Sequence, residues 1–159
     1  MVRLLFIFQF FIFFNSAISA QIETISTKDT TRYSEKQVME EEKFIAATAF
    51  RLANKTKEAI PLLQELIKNN KTEPTFYYEL ARTYYLDKQY DDALTNASKS
   101  VSLDPANLYY AIFEAEILEK QGNAEMAASK YETIISKHPR VEEYWLKMAK
   151  LYSAAAMPL

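Results

Sequence analysis

From Ser34 to Leu52, apolar residues return at spacings of three and four, the rhythm of a helix with one buried face. Ser34 and Gln37 offer a capping box at its start, so the folded domain is expected to begin near Ser34. Glu40, Glu41 and Glu42 follow within this helix. Three successive helical positions point in different directions, so they suit an acidic early turn better than a metal site.

Beyond this helix the pattern repeats. Ala47, Ala81, Ala115 and Ala149 recur at a constant interval, and Ala59, Ala93 and Ala127 keep the same step. So do Phe50, Tyr84, Leu118 and Tyr152, and the prolines Pro105 and Pro139. Polar or helix-interrupting stretches at Asn54-Lys55, Asp87-Lys88-Gln89 and Gln121-Gly122-Asn123 divide each period into two helices of roughly 12 to 15 residues. Each period is therefore a helical hairpin, with small residues where two backbones approach and bulky residues filling the space beside them. A single hairpin cannot bury its apolar face, so neighbours must stack into a solenoid.

The N-terminal segment follows another pattern. Arg3 precedes an apolar run broken only by Gln9, from Leu4 to Phe14, and small residues follow through Ala20. A stretch of about 11 residues suits a secretory signal core and falls short of the roughly 20 that span a bilayer. Residues 1–20 are read as a signal peptide cleaved near Ala20, which makes the protein exported, periplasmic or secreted. The alternative is an uncleaved segment tethering it to a membrane, which a cleaved signal would contact only transiently. Residues 21–33, rich in Thr and Ser, read as an unstructured spacer.

Composition narrows the chemistry. In 159 residues there is no cysteine, one glycine and one histidine, with a formal charge of -2. Disulfides, thiolate metal sites, cysteine nucleophiles and Gly-rich phosphate loops have no material. The charge balance gives no basic face for nucleic acid. His138, before Pro139 in a turn, has no second histidine to share a metal with, and it is read as a solvated loop residue. Asn54, Asn70 and Asn96 each open a glycosylation sequon, which matters only in a eukaryotic secretory pathway.

These residues resemble the tetratricopeptide repeat (TPR) family over roughly positions 40 to 155. The second unit, 74–107, carries the pattern most fully: Tyr77, Leu80-Ala81, Tyr84, Tyr90, Ala93 and Asp104-Pro105. The third, 108–141, keeps Ala115, Ala127, Tyr131 and Pro139. In the first, 40–73, Lys71 stands where the family closes with proline. A partial fourth, 142–155, opens with Trp145, Met148-Ala149 and Tyr152 but has no second helix, and 156–159 form a tail. This last helix is expected either to cap the array or to open a further hairpin of a longer protein, the second reading being preferred.

The resemblance implies an all-α, right-handed α-solenoid of about three hairpins and a final single helix. It also implies a concave groove lined by the first helix of each hairpin. Mapped onto this sequence, the groove presents Phe44, Arg51, Tyr78, Arg82, Tyr85, Tyr109, Ile112, Glu116 and Glu119. Tyr84, Tyr90 and Tyr131 are assigned to the core. Phe44 and Thr48 stand in the first places of the Lys and Asn set that clamp-type members carry in the groove, so capture of chaperone C-termini is not expected. The function implied is non-enzymatic: a scaffold holding a peptide or helix of a partner protein, with no cofactor and no metal. Self-association through the C-terminal helix is the alternative, because Trp145, Leu146, Met148 and Leu151 lack a covering helix.

Overall fold

A computed structural model describes residues 34–156; the expected signal peptide, the spacer and the end of the tail fall outside these residues. Among the described residues there are seven helices and no strand: α1 Glu35–Leu52, α2 Thr56–Asn69, α3 Pro74–Leu86, α4 Tyr90–Leu103, α5 Leu108–Lys120, α6 Ala124–Lys137 and α7 Glu142–Ala156. The expected all-α solenoid is what the chain forms. Packing divides it after Glu41. Before that point α1 opens with the capping box, the Ser34 N–H donating to Gln37 Oε1 at 2.8 Å and the Gln37 N–H to Ser34 Oγ at 3.2 Å. The stacked helices belong to the part from Glu42 onward.

Three turns between paired helices are built alike. Asn54, Lys88 and Gly122 take φ of 58°, 63° and 79° at equivalent places in successive periods. The next N–H in each turn, from Lys55, Gln89 and Asn123, donates to the carbonyl of Phe50, Tyr84 and Leu118 at 2.8, 2.9 and 2.9 Å. The left-handed residues themselves donate to Arg51, Tyr85 and Glu119. This pair of bonds is the Schellman motif, which satisfies carbonyls that a helix end leaves free. Its backbone geometry favours glycine, yet only the third turn has one. Side chains of Glu73 and Asn107 then start α3 and α5 by accepting from the N–H groups of Thr75 and Tyr109. Pro74, at the head of α3, lacks a donor where none is needed.

The alanine series explains the packing. Ala47, Ala81 and Ala115 in the first helices, and Ala59, Ala93 and Ala127 in the second, are all 0% exposed. Helices meet closely there because nothing larger than a methyl group intervenes. Tyr131 is fully buried, whereas Tyr84 and Tyr90 are half-buried against the core. Ala149 departs from the series and is exposed, as is Tyr152, because no helix among the described residues follows α7 to cover them.

The junctions between hairpins alternate in chemistry. Gln64 on α2 donates to the Tyr84 hydroxyl on α3 at 3.1 Å, and two periods later the Tyr152 hydroxyl on α7 donates to Glu132 on α6 at 2.8 Å. The Tyr77 hydroxyl donates to the Lys71 carbonyl at 3.2 Å, and two periods later the Trp145 indole donates to the Pro139 carbonyl at 3.1 Å. The intervening unit has Ala111 and Leu118 at these places. There Ser98 on α4 donates to Glu114 on α5 at 2.5 Å, and Lys137 takes the Pro105 carbonyl at 3.2 Å.

Candidate partner-binding face

The first helices α3 and α5 meet along an aromatic seam. The Tyr78 ring lies 4.9 Å from Tyr110 and 5.5 Å, edge-on, from Phe113. Tyr85 sits edge-on to Phe113 at 5.5 Å and to Tyr90 at 5.4 Å. Such edge contacts bring the positive rim of one ring to the negative face of the next. Arg82, one turn on from Tyr78, holds its guanidinium 5.5 Å over the Tyr78 ring while Nη1 donates to Glu79 at 3.0 Å. Burial pushes the Tyr78 hydroxyl above its ordinary pKa, Arg82 pulls it back, and Glu79 and Glu116 raise it further. Tyr85 is also raised, by burial first and then by Tyr90, Glu116 and Glu119.

Arg51 requires a correction. Sequence placed it on the open face, but its side chain is 7% exposed and its Nε donates to Glu79 Oε2 at 2.6 Å. Glu79 thus holds two arginines, one buried and one surfacing, which leaves one positive charge in excess at the α1–α3 junction. A buried guanidinium needs such a partner, and burial keeps Arg51 off the open face.

The α5–α7 side has the opposite balance. Lys147 Nζ lies 3.6 Å from Glu116 and 3.7 Å from Glu143, and 5.6 Å from the centre of the Tyr131 ring. Burial pulls the Lys147 pKa down, but Tyr131, Glu116 and Glu143 together hold it above the usual lysine value. The Tyr131 hydroxyl is raised by burial, which outweighs the lowering influence of Lys147. That hydroxyl has no hydrogen-bond partner among the described residues.

The remaining predicted positions are dispersed. Phe44 is half-buried, 5.4 Å from Phe76 on α3, and serves the first core cluster. Ile112 packs into the core beneath α6 and α7. Tyr109, 74% exposed at the head of α5, and Glu119, exposed near its end, are open to solvent. Sequence reasoning missed Glu79, Phe113, Glu114 and Lys147. Glu79 and Glu114 are each a lone acid flanked by apolar residues, Tyr78 and Leu80 in one case and Phe113 and Ala115 in the other. That is a readable sign of a buried, paired carboxylate. Glu114, 4% exposed, is held by Ser98 and by Lys130 at 2.8 Å.

Two open hollows lie among the described residues. One of about 540 Å³ is lined by Lys88, Gln89, Tyr90, Asp91, Asp92, Gln121 and Asn123. A second, of about 280 Å³, contains His138. Among the described residues no three His, Cys, Asp or Glu side chains gather as a metal site. No described helix is long and apolar enough to cross a membrane.

No family model matches the chain, and no curated protein matches it either. Solved structures do. The first TPR domain of Spaghetti (RPAP3), bound to an HSP90 peptide, aligns at TM-score 0.66 and 17% identity, covering 74% of this chain and 94% of that one. MamA aligns at TM-score 0.67 and 15% identity, over 74% and 68% of the two chains. The Yersinia enterocolitica type III secretion chaperone SycD, in complex with a peptide of the translocator YopD, aligns at TM-score 0.61 and 19% identity, over 76% and 91%. At such identities the likeness is one of fold, and the chain folds as TPR-type helical hairpins.

Proposed function

We propose that this chain is an exported, non-enzymatic scaffold that holds a peptide or helix of a partner protein on the face formed by α3, α5 and α7. The observation carrying this reading is the arrangement around Arg82, whose half-exposed guanidinium lies over Tyr78 while Glu116 and Glu119 stand on the next first helix. Rigid aromatics flanked by opposite charges are the side-chain types that dominate peptide interfaces. The likeness in fold to RPAP3 with its HSP90 peptide and to SycD with its YopD peptide supports the same use. Export rests on Arg3 and the apolar run that follows.

Crosslinking capture from the cell envelope tests the reading, comparing the unaltered protein with an Arg82→Glu, Glu119→Lys variant. Both side chains reach solvent, so helicity should be unchanged. A partner captured by the first and lost by the second supports the face; a partner held equally by both refutes it. N-terminal sequencing of the protein from the same fraction should find Gln21 or its neighbour as the first residue, and an intact Met1 would refute cleavage.

A further inference from the structure

The position after each packing alanine carries a series of its own. Thr48, Arg82, Glu116 and Lys150 directly follow Ala47, Ala81, Ala115 and Ala149, so they repeat on successive first helices at the same step. From α3 onward the charges in this series alternate: positive, negative, positive. None of the three is hidden. The Arg82 and Glu116 side chains are 37% and 42% exposed, and Lys150 is open.

Two of these charges are left over from unequal trios. On α3, Glu79 accepts from both Arg51 and Arg82, one acid between two bases. On α7, Lys147 lies 3.6 Å from Glu116 and 3.7 Å from Glu143, one base between two acids. The first trio keeps a positive charge in excess and the second a negative one. Arg82 is the exposed member of its trio, and only its Nη1 is engaged on Glu79, so the rest of its donor fork is open to a carboxylate. Glu119, one turn beyond Glu116, is exposed and adds to the negative charge of α5. The Tyr78 hydroxyl feels both signs: after burial, which raises its pKa most, Arg82 lowers it and Glu116 raises it.

We propose that the partner segment held on this face carries a basic residue flanked on both sides by acidic ones, the acids meeting Arg82 and Lys150 and the base meeting Glu116 and Glu119. This rests on the partner-binding reading above and names the chemistry that the face selects. Axes of packed helices lie about 8–10 Å apart, and an extended chain advances about 3.3 Å per residue, so the charges stand about three residues apart in the segment. A segment with inverted signs meets a like charge at every step. The face thus reads the order of charges. The formal charge of the whole chain, -2, would by itself favour the more basic of two peptides.

Fluorescence anisotropy of the full chain with two synthetic peptides tests the order. One peptide has a lysine with a glutamate three residues away on either side and leucine and alanine between; its twin exchanges lysine and glutamate. Both are acetylated and amidated, so no terminal charge contributes, and both carry the same photoreactive group. The first peptide is expected to bind at least about tenfold more tightly. In an Arg82→Gln, Glu116→Gln, Lys150→Gln variant that preference should shrink to within about twofold. Helicity should be kept, because Glu79 retains Arg51 and Lys147 retains Glu143. Equal binding of the twins, tighter binding of the inverted one, or a preference that survives in the variant would each overturn the proposal. The crosslinked residues separate this failure from that of the reading beneath it. Attachment to α3, α5 and α7 without preference leaves partner binding standing, and attachment confined elsewhere sinks both. If neither peptide binds, the charge order fails and partner binding is judged by the envelope capture alone.

Discussion

Arg51 on α1 donates its Nε–H to Glu79 on α3 at 2.6 Å, and both side chains are buried at the junction of the first two hairpins. Removing one member strands the other's charge away from water. Glu79→Ala is expected to cost about 3–5 kcal/mol, whereas the paired change Arg51→Met, Glu79→Leu should be close to neutral. Urea unfolding of the two variants checks this. A single variant as stable as the double would refute the coupling.

The three Schellman turns give a comparison within one molecule. Lys88 holds a φ of 63° that glycine adopts without strain, so Lys88→Gly should stabilise the protein by about 1 kcal/mol. Gly122→Ala should lose a similar amount, purely through the backbone, because nothing lies within 4 Å of the position its Cβ would take. Thermal unfolding should show shifts of opposite sign.

The repeat could be read in the sequence because its alanines are a steric requirement with a fixed period. Ala47, Ala81 and Ala115 are buried for the reason their spacing implies. The face was harder to read. A groove position can be open, as with Arg82 directly after Ala81, or buried against the next hairpin, as with Arg51 one turn after Ala47, depending on whether an acid such as Glu79 waits across the junction. Resemblance aligned Arg51 and Arg82 with groove positions; only the packing of α1 on α3 separates them. Ala149 shows the converse, since a packing residue stays exposed when its partner helix is missing from the described residues.

The buried Tyr131 hydroxyl, without a partner, is a cost to the fold. Tyr131→Phe keeps the ring and removes the orphan, so it should stabilise by about 1 kcal/mol. Denaturant midpoints at equal slope would show it. A loss of stability would mean that the hydroxyl is satisfied, by Lys147 or by a bound water.

Tyr78, Tyr85 and Tyr131 have raised pKa values, with burial the first cause in each. Their neutral forms are favoured in the folded state, so their contribution is complete below the ordinary tyrosine value of 10.0. Above it the unfolded chain releases protons first, and stability should fall as pH rises toward the folded values. Melting temperatures should therefore drop on the alkaline side of pH 10.0, and replacing the three tyrosines with phenylalanine should flatten that drop.

The alternation of junction chemistry bears on assembly errors. Stacked repeats are prone to mispairing, because each hairpin offers much the same small-residue surface to the next. Here a hairpin displaced by one place would bring Leu118 to the carboxamide meant for Tyr84 and leave Glu114 facing no serine. Only a shift of two places restores a matching set of bonds. The side-chain bonds therefore work as a parity check on a scaffold whose alanines alone could not tell one neighbour from another.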